Sequence, residues 1–204
     1  GHIEWVTFVS VDKMPLQGLI THGNKLNELA AGGGAVVAVQ MSKLTNCKVH
    51  FFTSLGKDEE GEKSLKRLQD LGLCLRVAWK DQSTRKAISM TTAKAERAIT
   101  VIGNRLQPSL EDDLPWDELK GFDGIFVTAT DSKTLKRCRE SRFLSVTPRL
   151  GLETINEANI TIDAIIGSYL DPYERNIMQK TTNKAKVRIE TKGSEGGKIN
   201  PGGN

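Results

Sequence analysis

Short apolar runs rich in β-formers alternate with helical patterns along most of this chain, and this alternation constrains the fold more than any other feature. The runs are Trp5 to Val9, Val49 to Phe52, Gly124 to Thr128, Leu144 to Val146, Ala164 to Ile166 and Val187 to Ile189. Helices are predicted between them at about 35–44, 59–71, 132–142, 151–159 and 172–182. Strand, helix and strand in succession predict βαβ units and an α/β fold, with a mainly parallel sheet covered by helices. "DGIFVTAT", residues 123–130, is apolar without alternation, as a strand buried on both faces requires. In "DEEGEKSLKRLQDLG", residues 58–72, Asp58 caps the helix start, Leu65, Leu68 and Leu71 mark one face, and Gly72 stops it.

From Leu75 to Ile102 the pattern breaks. "LRVAWK", "RKAISMTTA" and "RAITVI" read as consecutive strands with no room for a crossover helix, so they predict an antiparallel meander or flap. Ile88 with Met90, and Ile99 with Val101, are expected to put apolar groups on one face. A flap of two or three strands is marginal alone, so it must cover the domain, a partner subunit or a ligand.

A chain of 204 residues can bury a substantial core. The net charge is only +4 and aromatics make up 5%, which argues against a nucleic-acid surface. Arg175, Lys180, Lys184, Lys186 and Arg188 follow one another without an intervening acid, as a solvated face or an attraction for anions would have them. The uncharged runs are too short to span a bilayer and nothing resembles a signal peptide, so the expectation is a cytoplasmic protein that meets no membrane. Cys47, Cys74 and Cys138 are far apart and expected as free, buried thiols, and His2, His22 and His50 share no metal-ligand spacing.

Several stretches admit both a structural and a chemical reading. Gly32, Gly33 and Gly34 stand directly before a predicted helix, where bare backbone either makes a tight turn or presents N–H groups to hydroxyl or phosphate oxygens. Their spacing is neither G-x-G-x-x-G nor G-x-x-x-x-G-K-[ST]. In "GSYLDPYERN", residues 167–176, Asp171 suits a helix cap with Pro172 at the first position and Glu174 at the third. The same two carboxylates lie past a strand end, where α/β folds bind ligands, and can hold Mg²⁺ through water. "TKGSEGG", residues 191–197, reads as a glycine-rich turn. Arg85, Asn104, Arg105 and Gln107 are either solvated or reach an anionic or polyhydroxyl ligand from the flap.

Taken in order, these stretches resemble the PfkB or ribokinase-like family of carbohydrate kinases over nearly the whole chain. The resemblance rests on Gly1 in "GHIEW", on "GGGAVVAVQMSKL" for the first signature, and on "SLGKDEEGEKSLKRLQDLGL" for the vGxDxxG element. "STRKAISMTTAKAERAITVIG" stands for the lid strands, "DPYERN" for the N-x-x-E region and "TKGSEGG" for the T-x-G-x-x-G turn. It implies a single ribokinase-like domain over residues 1–204, of three layers, α/β/α, with a small antiparallel lid from about 75–102. It also implies ATP- and Mg²⁺-dependent phosphorylation of a sugar or polyol hydroxyl, and a homodimer through the lid. By the same resemblance Gly32, Gly33, Gly34, Glu4 and Arg85 touch substrate, Lys192, Gly193 and Gly196 lie near the nucleotide, and Glu174 and Asp171 near the metal. The family's catalytic Asp, in a G-A-G-D segment, is expected beyond Asn204, in a longer parent protein.

The sequence departs from the family at Val6 and Val36, where an Asp and an Asn commonly hold a ribose-like substrate, and at Asp171, where the motif has Asn. The rival expectation is therefore a non-catalytic ligand-binding or regulatory protein on the same fold. A dinucleotide-dependent oxidoreductase would need a fingerprint that this chain lacks.

Overall fold

A computed structural model describes residues 1–181 and 184–201. The expected end of the last helix, at residue 182, and the closing residues 202–204 lie outside the described residues. The chain divides into two compact units, Gly1–Leu106 and Gln107–Asn204.

The first unit contains β1 (Glu4–Val11), β2 (Gly23–Ala31), α1 (Gly33–Leu44), β3 (His50–Gly56), α2 (Glu59–Asp70), β4 (Cys74–Lys80), β5 (Lys86–Thr91) and β6 (Arg97–Ile102). β3 and β4 pair in parallel across α2, a βαβ unit of the expected kind. Asp58 caps α2, Leu68 is fully buried with Leu65 and Leu71 packed around it, and Gly72 ends the helix at a φ of +84° that favours glycine. Ile3, Ala30, Ala35, Ala38, Phe51 and Leu55 join Leu68 and Leu73 in the core.

The lid differs from the expected meander. A four-stranded sheet runs β2-β1-β5-β6, with β1 and β5 parallel and the two outer pairings antiparallel. β4 is not part of this sheet, because its apolar residues pair with β3. β2 escapes a sequence reading because its first seven residues are exposed, so "GNKLNEL" carries loop-like composition and no apolar alternation. The register also sets Ile99 opposite Ser89 and Val101 opposite Ala87. Ile88 and Met90 therefore lie on the other face from Ile99 and Val101, since neighbouring residues of a strand point to opposite sides.

The second unit contains β7 (Gly124–Val127), α3 (Ser132–Cys138), β8 (Phe143–Val146), α4 (Leu152–Ala158), β9 (Ile162–Ser168), α5 (Pro172–Lys180), β10 (Ala185–Thr191) and β11 (Gly197–Pro201). Its sheet runs β11-β10-β9-β8-β7, parallel from β7 to β10, with β11 antiparallel to β10. β7 is the last strand in that order, so Gly124 is exposed and Ile125 and Phe126 are half-buried, short of the two-sided burial expected for "DGIFVTAT". Leu135, Leu144, Val146, Ile155, Ile162, Ile165 and Met178 fill the core. Buried Asp163 accepts hydrogen bonds from the Leu144 amide at 2.8 Å, from Lys186 Nζ at 2.8 Å and from Arg139. Burial works to raise its pKa, but these donors outweigh it and hold the carboxyl at about 2.

Among the described residues no helix is long and apolar enough to cross a membrane. The three cysteines are free, but only Cys138 is buried, while Cys74 is half-buried and Cys47 exposed.

Candidate functional site

In the first unit the five residues expected at the substrate meet. Glu4 begins β1 in register with Ala31, which leads directly into the glycines. Gly32 is the N-cap of α1 at a φ of +86°, and its carbonyl accepts the Val36 amide at 3.0 Å. Gly34 tolerates no side chain, because a Cβ there would stand 2.7 Å from the His2 carbonyl oxygen and 2.8 Å from its nitrogen. Arg85 lies just before β5, where its carbonyl accepts the Trp5 amide at 2.9 Å. That pairing brings Arg85 Nη1 to 3.3 Å from Glu4 Oε1. Arg85 Nε is buried and donates to no acceptor among the described residues. A carboxylate, a guanidinium and the open amides of a helix start together can accept from and donate to neighbouring hydroxyls.

Two contributors were not anticipated as part of this cluster. His2 stands beside the glycines, with Nε2 3.3 Å from the Gly33 amide that donates to it and 4.0 Å from Glu4 Oε1. Asp58, read as a helix cap, also reaches Thr84: its carboxylate accepts from the Gly61 amide at 2.9 Å, the Thr84 amide at 2.6 Å and the Thr84 hydroxyl at 2.7 Å. Burial opposes the charge, yet the Thr84 and Gly61 bonds and nearby Lys86 leave the Asp58 pKa below the usual carboxylate value. The G-x-D-x-x-G spacing thus anchors the segment that ends in Arg85. Gly61 allows this approach, since a Cβ there would stand 2.2 Å from the Gly56 carbonyl oxygen. A pocket of about 310 Å³ lined by Trp5, Glu28, Lys63 and Arg67 contains none of these groups, and Trp5 points to the opposite side of β1 from Glu4.

In the second unit the expected metal and nucleotide residues lie around the start of α5. Asp171 caps the helix, accepting from the Tyr173 and Glu174 amides at 2.9 and 3.2 Å. Arg149 joins both carboxylates: its Nε donates to Glu174 Oε1 at 2.6 Å and its Nη2 donates to Asp171. The other Glu174 oxygen accepts the Ser168 amide at 2.7 Å, at the end of β9. Lys192 opens the turn between β10 and β11, where Gly193 and Gly196 take φ values of +61° and +81°. Its ammonium sits 4.6 Å from the centre of the Tyr169 ring, and the Arg175 guanidinium lies 5.3 Å from that ring. Lys186 and Lys184 instead bind Asp163 and Asn159, so the basic run of the sequence is divided among separate partners.

Residues 5–184 match the pfkB family carbohydrate kinase, and the chain belongs to that family. No curated protein sequence matches it. Its fold is that of solved ribokinases. Giardia lamblia ribokinase superposes with a TM-score of 0.80 at 17% identity, over 98% of this chain and 71% of that one. Arabidopsis thaliana ribokinase, solved with ribose and ATP, gives 0.71 at 16%, over 100% and 74%. Escherichia coli phosphofructokinase-2, solved with fructose-6-phosphate, gives 0.67 at 13%, over 100% and 75%.

ATP and Mg²⁺ would each make a distinct demand on the residues around the start of α5. A polyanion suits Lys192, Arg175 and the bare turn backbone at Gly193 and Gly196. Mg²⁺ usually takes one or two carboxylates, with waters and phosphate oxygens completing its shell. Glu174 and Asp171 fit that share, and among the described residues no cluster of three or more His, Cys, Asp or Glu offers a cage of its own.

Proposed function

We propose that this chain carries the sugar-binding and nucleotide-facing residues of an ATP-dependent carbohydrate kinase that phosphorylates a hydroxyl of a sugar or sugar-like polyol. The convergence of Glu4, Arg85 and Gly32–Gly34 in one place carries the reading. Glu4 accepts hydrogen bonds from sugar hydroxyls, Arg85 neutralises Glu4 and donates to a sugar oxygen, and the Gly34 and Ala35 amides at the start of α1 receive another oxygen. Lys192, Gly193 and Gly196 face the nucleotide, while Glu174 and Asp171 hold Mg²⁺ through water. ATP with Mg²⁺ supplies the phosphoryl group and the charge that balances its transfer. The protein's share is orientation and electrostatic stabilisation. A homodimer through the lid belongs to the same reading, supported by Ile99 and Val101, exposed at 50% and 41% on one face of that sheet.

The test is ADP release and phosphosugar formation by the protein with ATP, Mg²⁺ and a panel of pentoses, hexoses and polyols. Turnover of any member supports the kinase. Sugar binding by calorimetry without turnover would favour the second reading, a ligand-binding protein that has lost the chemistry. The pairing of both α5 carboxylates with Arg149, and valine at positions 6 and 36, speak for that second reading.

A further inference from the structure

We propose that His2 is a positioning residue of the first unit's site, held neutral with its proton on Nδ1, so that Nε2 accepts the Gly33 amide and fixes the glycine backbone beside Glu4. The Gly33 nitrogen stands 3.3 Å from Nε2 with its N–H directed at the ring. A ring nitrogen that accepts an N–H carries no proton, so the single proton of the neutral imidazole belongs on Nδ1. The ring also packs on the loop it serves. A Cβ at Gly33 would stand 3.2 Å from His2 Cε1, and one at Gly32 would stand 3.3 Å from Cδ2. The side chains of His2 and Glu4 keep only 12% and 14% of their exposure, so water competes little for these contacts.

Gly33 is the first residue of α1, and its amide is one of those the helix leaves without an internal partner. By taking that amide, His2 leaves the Gly34 and Ala35 amides to a ligand and holds the turn at Gly32. A protonated ring would donate from Nε2, release Gly33 and turn toward Glu4 Oε1, 4.0 Å away, in competition with Arg85 at 3.3 Å from the same oxygen. Glu4, Arg85 behind it and the positive end of α1 are the charges that face the ring. The consequence for substrate rests on the sugar-site reading, whereas the state of the ring does not.

The experiment compares the full chain with His2→Gln, whose side-chain oxygen replaces Nε2 as acceptor, and His2→Phe, which fills the space with no acceptor. Long-range proton–nitrogen correlation on the ligand-free protein at about pH 7.5 should show a protonated Nδ1 and a bare Nε2. Hydrogen exchange at the Gly33 amide should be about fivefold to tenfold faster in the Phe variant, with the Gln variant close to the parent, as expected for one hydrogen bond. A proton on Nε2, a charged ring at that pH, or equal Gly33 exchange in all three proteins overturns the proposal. With a sugar that is turned over, KM should rise about fivefold to tenfold in the Phe variant while kcat stays within about twofold, and Gln should restore it. If no sugar is turned over, the kinase reading fails, and the ring and amide measurements still decide the role of His2.

Discussion

Asp58 and Thr84 are joined twice, through the Thr84 amide at 2.6 Å and its hydroxyl at 2.7 Å, and Thr84 immediately precedes the arginine that faces Glu4. A helix cap therefore also fixes the segment that brings Arg85 to Glu4. Asp58→Ala should cost about 2–3 kcal/mol, the sum of a lost cap and lost charge-assisted bonds. Thermal unfolding should report a Tm lower by about 5–10 °C. Because the folded pKa of Asp58 is depressed, its contribution is full above the unfolded value of about 3.9 and is lost as pH falls through the folded one. The variant should accordingly lose less stability than the parent on acidification below about pH 4.

Asp163 makes the same test possible in the second unit, with a number attached. Its carboxyl is held at about 2 against an unfolded value of about 3.9, so its stabilisation is complete at neutral pH and disappears between about pH 4 and 2. Asp163→Ala should cost about 2–4 kcal/mol at pH 7, because the buried Leu144 amide loses its acceptor along with the two cations. Denaturant titrations of both proteins at pH 7 and about pH 2.5 should show the difference shrinking at the lower pH.

Gly34→Ala should destabilise the fold by about 1–3 kcal/mol, since the new methyl meets main-chain atoms of His2 that cannot give way cheaply. Sugar binding should weaken more than stability alone explains. Calorimetry at a temperature well below both Tm values separates the two effects.

Glu174→Gln should raise the Mg²⁺ concentration needed for half-maximal turnover by about tenfold and leave the KM for sugar within about twofold. Unchanged magnesium dependence would remove Glu174 from the metal's surroundings and leave it as a partner of Arg149 and Ser168.

Thiol labelling should divide the cysteines by exposure. Cys47 should react within minutes, whereas burial pushes the Cys138 thiol up to about 11 and keeps it unreactive until the second unit unfolds. Rapid modification of Cys138 in the native protein would show that its helix opens freely.

Much of this architecture was legible because local chemistry and tertiary structure agree. Asp58 and Asp171 cap the helices they announce, Gly72 ends α2, and "TKGSEGG" turns between two antiparallel strands. The glycines, Glu4 and Arg85 were grouped through family motifs, and the structure brings them together. β2 was not legible, since an exposed strand carries no apolar period, and β4 was misplaced because a strand's composition does not name its partner. His2 gave no signal of its own: its role depends on the meeting of β1 with the start of α1, which no spacing in the sequence states. The pairing of Asp171 and Glu174 with Arg149 was hidden likewise, because the arginine comes from the segment after β8.

Glu4 and Arg85 meet through the parallel pairing of β1 with β5, and β2, α1, β3, α2 and β4 all lie between them along the chain. During synthesis, β1 and β2 can join as soon as they emerge, whereas β5 must leave the ribosome before the arginine reaches the carboxylate. Closing so long a loop is the slow kind of contact. The Glu4–Arg85 pair is thus one of the last features of the first unit to form on a nascent chain, and a product truncated before β5 would present Glu4 without its counter-charge.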